Sequence, residues 1–212
     1  MKTAVFDLDG TLINSLYDLA DAANSALASL GYPARTYEEY RYFAGNGVAK
    51  LCERAIFSEN KEDAAKVLEL FKLNYEAHCT DKTTAYSGIT DVLHTLSQNG
   101  FRLAVATNKS QAFAEKIILE LFPDIHFDII LGGTSDRPKK PSPDIIFEIL
   151  SEMPDADTAY MIGDSNVDIL TAKNARILSI GCTWGFRDEA ELIDAKADFI
   201  ARSPDDILSF LL

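Results

Sequence analysis

Two carboxylates stand two residues apart in Asp7-Leu8-Asp9, directly after an apolar run that ends at Phe6. On an extended chain, side chains at this spacing leave on the same side, roughly 7 Å apart along the backbone. One carboxylate there can attack phosphorus to form an aspartyl-phosphate. The other can protonate the leaving oxygen and later take a proton from water. Such a pair also occurs in turns and helix caps, but its place between the apolar run and Gly10-Thr11 favours chemistry.

A second acidic pair follows another apolar run, in Gly163-Asp164-Ser165 and then Asp168. Asp168 is expected one helical turn beyond Asp164, on the same helix face. Several carboxylates facing one phosphate would repel it, and a hard cation such as Mg²⁺ removes that repulsion. Asp164 and Ser165 are alternatively a simple helix cap, but together with the first pair they favour a metal site.

Three other polar residues are candidates for binding phosphate. Lys140 precedes Pro141 in a polar loop and is suited to pairing with both Asp7 and a phosphate group. A solvated loop lysine is the commoner case, and Lys139 serves equally well on composition alone. Thr107 and Asn108 follow an apolar run and offer a hydroxyl and an amide to phosphate oxygens.

Short apolar runs alternate with helical patterns along the chain, which predicts an α/β fold with a parallel sheet. The predicted strands are 3–6, 103–106, 129–131, 159–162 and 178–180, with a weaker one near 198–200. Their nearly continuous apolar character suits strands that are covered on both faces. Ligands of such sheets bind beyond the carboxyl ends of the strands, so all the clusters above are expected at one edge.

The alternation stops over residues 14–85, which contain helical patterns but no convincing strand. The helical stripe that begins at Leu16 has Ser15 as its expected cap, and Thr36 to Glu39 reads as a capping box. This segment is too long for a crossover connection. We therefore predict a catalytic core of residues 1–13 and 86–212 and an inserted helical cap of residues 14–85. The alternative is a set of extra helices packed on one face of the sheet.

Charge and composition exclude several kinds of partner. The net charge is −13 and no basic cluster occurs, which argues against nucleic acid and against an anionic membrane surface. The 3 cysteines form no CxxC pair, which fits a reducing, cytoplasmic setting. No apolar stretch has the length of a membrane span, and the N-terminal run is too short for a signal peptide.

In this order, the four clusters resemble the motifs of the haloacid dehalogenase superfamily of phosphotransferases. The matching residues are Asp7-Leu8-Asp9-Gly10-Thr11, then Thr107-Asn108, then Lys140-Pro141, then Gly163-Asp164 with Asp168. The resemblance covers nearly the whole chain. It implies a doubly wound, Rossmann-like parallel sheet core with an inserted α-helical cap of the four-helix type.

The resemblance also implies roles for these residues. Asp7 would be the nucleophile and Asp9 the general acid and base, while Thr107 and Lys140 bind phosphate with Asn108 beside them. It selects Lys140 over Lys139, because the family's lysine directly precedes the proline. Mg²⁺ would lie on Asp7, the backbone carbonyl of Asp9 and Asp164, with Asp168 supporting the metal site from nearby.

A segment of the helical insertion, from Arg41 through Gly45-Asn46-Gly47, looks like the cap loop of phosphoglycolate phosphatases. Thr107-Asn108-Lys109 and Thr183-Trp184-Gly185-Phe186 are further matches to that subgroup. The two glycines of the loop would let backbone N–H groups approach a substrate carboxylate, and Arg41 would add positive charge. The alternative is a turn between two helices, with Arg41 on its surface. The expected substrate contacts are Asn108, Arg41, Gly45, Asn46 and Gly47.

The expected activity is that of a Mg²⁺-dependent phosphomonoesterase acting on a small phosphorylated metabolite, with 2-phosphoglycolate as the best single guess. Carbon–halogen hydrolases of the superfamily lack the second aspartate of the first motif, so Asp9 favours phosphate esters. A sugar phosphomutase similar to β-phosphoglucomutase, a pyrophosphatase and a nucleotidase stay open as alternatives. A non-enzymatic binding protein is disfavoured by the complete set of reactive residues. We expect a monomer or a homodimer.

Overall fold

The computed structural model describes residues 1–56 and 61–212. The strands are β1 (Lys2–Phe6), β2 (Ile13–Asn14), β3 (Thr84–Ala85), β4 (Arg102–Ser110), β5 (Ile129–Gly133), β6 (Thr158–Gly163), β7 (Leu178–Cys182) and β8 (Phe199–Ala201). The helices are α1 (Leu16–Ser29), α2 (Tyr37–Phe43), α3 (Val48–Ile56), α4 (Lys61–His78), α5 (Ile89–Gln98), α6 (Gln111–Leu121), α7 (Asp144–Ser151), α8 (Asn166–Ala175), α9 (Glu189–Asp194) and α10 (Pro204–Leu211).

The main sheet has six strands in the order β5-β4-β1-β6-β7-β8, and each neighbouring pair is parallel. On one side of the sheet the strands run outward from β1 through β4 to β5, and on the other side from β6 through β7 to β8. This reversal is the mark of a doubly wound Rossmann-like sheet, and it opens a crevice beyond the ends of the two central strands. The predicted fold class is confirmed.

Alternation along β1 separates two apolar layers. Ala4 and Phe6 belong to a large cluster that includes buried residues of α5, α6 and α10. Val5 points to the opposite layer, where it joins buried residues of α7 and α8. Because both faces are covered by helices, the strands are almost wholly apolar, as the sequence pattern predicts.

Helices α1 to α4 lie between β2 and β3, within the connection that leads from β1 to β4. Within this segment, α1 packs against α4. At its base, β2 and β3 form a two-residue antiparallel ribbon in which Ile13 pairs with Ala85 and Asn14 with Thr84. The prediction that residues 14–85 contain no strand is therefore wrong at both ends, because two residues are too few to show alternation. We propose this ribbon as the boundary of a cap domain spanning residues 14–85.

The predicted strands are all present, and the main difference lies in β4. The sequence predicts a strand over 103–106, whereas β4 continues to Ser110 through a register shift against β5. The capping box from Thr36 to Glu39 is confirmed. The predicted side-chain cap by Ser15 is not observed, because its hydroxyl bonds to Asp9 instead. No helix within the described residues has both the length and the apolar character needed to cross a membrane.

Candidate active site

The two central strands bring the two acidic pairs of the sequence together. Asp7 directly follows β1, and Asp164 directly follows β6. These strands are parallel neighbours in register, with Phe6 opposite Ile162, and the backbone N–H of Asp7 donates to the carbonyl of Ile162 at 2.8 Å. Both carboxylates therefore enter the crevice at the reversal of strand order, where doubly wound sheets bind their ligands.

Lys140 connects the first acidic pair to the second. Its Nζ lies 3.0 Å from Oδ1 of Asp7 and 2.7 Å from Oδ1 of Asp168, and it donates to the carbonyl of Ala106 at 2.7 Å. The side chain is buried, with 1% of its area exposed. Burial acts to lower the pKa of Lys140, but the charges of Asp168 and Asp7 outweigh it, so the pKa is raised and the ammonium form is favoured.

Asp168 has both oxygens engaged. Its Oδ1 accepts from Lys140, and its Oδ2 accepts from the backbone N–H of Ser165 at 3.1 Å and from the Ser165 hydroxyl at 2.7 Å. These bonds close the N-terminus of α8 and hold the lysine that reaches Asp7. The carboxylate is thus placed to position Lys140.

Asp164 is held by the chain that follows β7. Its Oδ2 accepts the backbone N–H of Phe186 at 2.7 Å. A Cβ on Gly185 would collide with Asp164 and with the carbonyl of Gly10, and a Cβ on Gly10 would collide with the Asp164 carboxyl group. Glycine is needed at both positions because the backbone passes so close to this carboxylate.

The three carboxylates form a buried acidic cluster. One oxygen from each of Asp7, Asp164 and Asp168 lies within 4.8 Å of the others. Burial raises the pKa of Asp7 from its ordinary value of 3.8 to about 7, although the ammonium of Lys140 acts to lower it. Burial, followed by the charges of Asp168 and Asp7, also raises the pKa of Asp164. One lysine does not balance three carboxylates, so the cluster is short of positive charge.

This chemistry fits a hard divalent cation. Carboxylate oxygens are the donors that Mg²⁺ prefers, and the cation would supply the missing positive charge. No hydrogen bond from residues 1–56 or 61–212 reaches Oδ2 of Asp7 or Oδ1 of Asp164. Among the described residues, those two oxygens of the cluster are therefore available to bind a cation.

Asp9 lies in a different environment from Asp7. Nζ of Lys109 is 2.9 Å from Oδ1 and 3.3 Å from Oδ2 of Asp9, and the hydroxyl of Ser15 donates to Oδ1 at 2.5 Å. Lys109 also donates to the hydroxyl of Tyr75 at 2.7 Å. The two carboxylates of the first motif thus have separate cations, Lys140 for Asp7 and Lys109 for Asp9.

Thr107 and Asn108, two of the residues predicted to bind phosphate, lie on the extension of β4. Thr107 is buried, and its hydroxyl accepts the backbone N–H of Lys109 at 3.2 Å. Asn108 exchanges hydrogen bonds with the backbone of Lys140, accepting from its N–H at 2.9 Å and donating to its carbonyl at 3.2 Å. The amide therefore holds the loop that carries Lys140.

The predicted cap loop lies against the core at the same edge. Nδ2 of Asn108 donates to the carbonyl of Gly45 at 3.0 Å, and Nζ of Lys139 lies 3.4 Å from the carbonyl of Asn46. Gly45 and Gly47 have φ values of 99° and 84°, in the region that glycine adopts without strain. The loop is thus brought to the crevice, and Lys139 reaches the loop while Lys140 reaches Asp7.

Arg41 lies at the rim of the crevice. Its Nη2 is 3.5 Å from the carbonyl of Gly185, next to the residue that binds Asp164, and its Nη1 is 3.4 Å from Oε1 of Glu38. Arg187, from the core, donates to the carbonyl of Arg41 and, at 2.8 Å, to that of Ala44. These bonds satisfy carbonyls at the end of α2 and tie the helical segment to the core.

Sequence reasoning assigned no role to several residues that line the site. Lys109 was visible as the third residue of Thr107-Asn108-Lys109, but a lysine at a strand end is ordinarily solvated. Tyr75 carries no local signal beyond an apolar helix face, and Ser15 resembles a routine helix cap. Lys109 lies 100 positions from Asp9 and Tyr75 lies 34 positions from Lys109, so only the tertiary packing reveals these two contacts, whereas Ser15 is six positions from Asp9.

Comparison with known proteins identifies one family. The model of the haloacid dehalogenase-like hydrolase family matches residues 4–182. A phosphoglycolate phosphatase of Vibrio parahaemolyticus is 37% identical over 216 residues, which cover 98% of this chain and 95% of that protein.

Solved structures agree with the sequence comparison. A predicted phosphoglycolate phosphatase from Haemophilus somnus has a TM-score of 0.90 and 28% identity, covering 100% of this chain and 98% of that one. CbbY from Rhodobacter sphaeroides, solved in complex with phosphate, has a TM-score of 0.78 and 26% identity, covering 97% of this chain and 95% of that one. The protein belongs to the haloacid dehalogenase-like hydrolase family.

Proposed function

We propose that this protein is a Mg²⁺-dependent phosphatase of small phosphate monoesters, with 2-phosphoglycolate as the best single candidate substrate. The observation that carries the proposal is the convergence of the Asp7, Asp164 and Asp168 carboxylates, two of which, Asp7 and Asp168, pair with the ammonium of Lys140. The phosphoglycolate phosphatases among the relatives support both the reaction and the choice of substrate.

In the proposed reaction, a carboxylate oxygen of Asp7 attacks phosphorus, and the bond from phosphorus to the substrate's alcohol oxygen breaks. Asp9 gives its proton to that oxygen as it leaves. Water then attacks the aspartyl-phosphate and gives a proton to Asp9, which releases phosphate and restores the Asp7 carboxylate. The separate positions of the two carboxylates support this division of roles.

For the metal, we propose Asp7, Asp164 and the backbone carbonyl of Asp9 as ligands, with Asp168 supporting the site through Lys140. The bound cation would offset the negative charge that the carboxylates and the phosphate bring together. The uneven charge of the buried cluster and its two free carboxylate oxygens support this assignment.

Lys140 and Thr107 are proposed to bind the transferring phosphoryl group, and the cap loop to select the rest of the substrate. Backbone groups of Gly45, Asn46 and Gly47 and the guanidinium of Arg41 are the proposed contacts for a substrate carboxylate. The bond between Asn108 and Gly45 supports this, because it brings the loop to the residues that would hold phosphate.

The test is a screen of purified protein for phosphate release from 2-phosphoglycolate, sugar phosphates, nucleoside monophosphates and pyrophosphate, each with Mg²⁺. We expect release from 2-phosphoglycolate with the highest kcat/KM. Isomerised sugar phosphate without release would instead identify a mutase, and absence of turnover on the whole panel would refute the proposed reaction.

The cellular setting stays a prediction. Cys52, Cys79 and Cys182 are buried and free. This arrangement is the one expected in a reducing compartment such as the cytoplasm.

A further inference from the structure

Lys109 is a second buried lysine next to the reaction centre, and the roles proposed above do not use it. Its side chain has 1% of its area exposed. Among the described residues, its ammonium group has three hydrogen-bond acceptors: both oxygens of Asp9 and the hydroxyl of Tyr75. The three N–H groups of an ammonium match these three acceptors.

The geometry of these contacts restrains the Asp9 carboxylate from more than one direction. Lys109 approaches from the end of β4, while the hydroxyl of Ser15 approaches from the start of the helical segment at 2.5 Å. A carboxylate held by two donors on different elements has little rotational freedom. Proton transfer needs a donor held within hydrogen-bond reach of the reacting oxygen, so such restraint has a direct catalytic value.

Because Tyr75 binds Lys109, the contact between Lys109 and Asp9 depends on the position of the helical segment. It lies on α4, its ring stacks on Phe71 at a centroid distance of 5.3 Å, and it meets Phe113 of the core edge-on at 5.0 Å. Nζ of Lys109 lies 4.8 Å from the centre of the same ring, in addition to its bond with the hydroxyl. Lys109 is thus fixed from the cap side and from the Asp9 side at once.

A purely structural ion pair is the competing explanation. An ion pair buried this deeply costs desolvation and is weak evidence for stability. This one lies on the residue proposed to move protons, and Lys109 is two residues from Thr107 on the same strand. Both facts favour a catalytic purpose for the pair.

We propose that Lys109 is a positioning residue that, together with Tyr75, holds the Asp9 carboxylate in place for proton transfer to the leaving oxygen. The inference rests on the proposed phosphatase reaction. It predicts that loss of Lys109 lowers kcat/KM more for esters whose leaving oxygen needs a proton than for esters whose leaving oxygen departs without one.

The experiment compares kcat/KM for 2-phosphoglycolate, an alkyl ester, with that for 4-nitrophenyl phosphate, whose leaving group is stable as an anion. This parameter reports the first phosphoryl transfer, before water enters. The variants are Lys109→Met, Asp9→Asn and the double substitution. Lys116→Met is the matched control, because Lys116 ties α6 to the carbonyl of Glu76 on α4 at 2.9 Å without approaching Asp9.

For Lys109→Met we expect kcat/KM to fall on the order of 10²-fold on 2-phosphoglycolate but only about threefold on 4-nitrophenyl phosphate, the pattern of a lost general acid. Asp9→Asn should show the same pattern. In the Asp9→Asn background, Lys109→Met should add less than about threefold, because residues that act as a unit are not additive. Lys116→Met should leave both values unchanged.

Tyr75→Phe provides a second route if Lys109→Met does not fold, since it removes one hydroxyl and no charge. It should lower kcat/KM for the alkyl ester by about two- to tenfold, the range expected for one hydrogen bond, and leave the aryl ester unchanged. Equal losses on the two esters in the folded variants, or additive losses in the double variant, would overturn the positioning role. A wild-type protein that hydrolyses neither these esters nor any other compound of the panel above would instead overturn the proposed phosphatase itself.

Discussion

The side chain of Asn108 joins the cap loop to the loop that carries Lys140, donating to the carbonyl of Gly45 at 3.0 Å. The same amide exchanges two hydrogen bonds with the backbone of Lys140. A substrate whose phosphate meets Lys140 would therefore have its remaining atoms beneath residues 45–47. Under the proposed function, this contact lets residues 45–47 select the ester while the residues around Lys140 carry out the chemistry.

The first prediction concerns the two carboxylates of the first motif. Asp7→Asn should abolish turnover of 2-phosphoglycolate because it removes the nucleophile, and Asp9→Asn should lower it on the order of 10²-fold because it removes the proton donor. Circular dichroism and thermal melting should show both variants folded. Asp124→Asn, at an exposed position, is the control and should keep full activity. Near-normal turnover by pure Asp7→Asn would remove the assigned nucleophile.

The second prediction separates two neighbouring lysines. Lys140→Met should lower kcat by roughly 10²-fold or more, the loss typical of removing one group that stabilises the transferring charge. It should also lower the melting temperature, because the buried carboxylates of Asp7 and Asp168 lose the lysine that contacts both. Lys139→Met, whose ammonium contacts the cap loop, should fold normally and keep more activity. Equal kcat losses in the two variants would contradict the assignment of Lys140.

The third prediction concerns the metal. Excess chelator should stop phosphate release, and Mg²⁺ should restore it. Mg²⁺ should also raise the free energy of unfolding, by about 2.7 kcal/mol at a concentration 100 times its Kd.

Asp164→Asn is the informative variant for that metal site. In chelator it should melt higher than wild type, because one of three crowded, buried carboxylates is gone. Its response to Mg²⁺ should be weakened, while Asp124→Asn responds like wild type. A full Mg²⁺ response in Asp164→Asn would exclude this carboxylate as a ligand.

The fourth prediction is a dependence of metal-free stability on pH. The pKa of Asp7 is raised from 3.8 to about 7 by burial, so between these values the folded state holds a proton that the unfolded state has lost. Stability from this group is therefore greatest below pH 3.8 and falls until about pH 7, by at most about 4 kcal/mol. Urea unfolding in chelator at several pH values should show the free energy of unfolding of Asp7→Asn rising relative to that of wild type as the pH increases across this range. A constant difference between the two proteins would contradict the raised pKa.

The fifth prediction tests the cap. Arg41→Ala should lower kcat/KM for 2-phosphoglycolate more than for 4-nitrophenyl phosphate, because only the first substrate carries a carboxylate. Lys50→Ala removes an exposed cation that pairs with Glu53 elsewhere in the cap, and it should leave both values unchanged. Equal losses with Arg41→Ala on the two substrates would leave the rim position of Arg41 without a role in selection.

Much of the fold was predictable because its signals are local. Apolar runs and capping residues predict strands and helix starts from neighbours in the sequence, and all the predicted strands are found. The ribbon formed by Ile13–Asn14 and Thr84–Ala85 was missed because two residues carry no period. The extension of β4 through Asn108 was missed because its polar residues read as a loop.

The sequence by itself determined which reactive residues follow which strand, and the carboxyl ends of parallel strands necessarily meet at one edge. Only the tertiary structure decided which side chains touch there: Lys140 pairs with Asp168 as well as Asp7, and Lys109 joins Asp9 to Tyr75. The physical reason is that such contacts depend on how helices and strands distant in the chain pack together. No local pattern of apolar and polar residues encodes that packing.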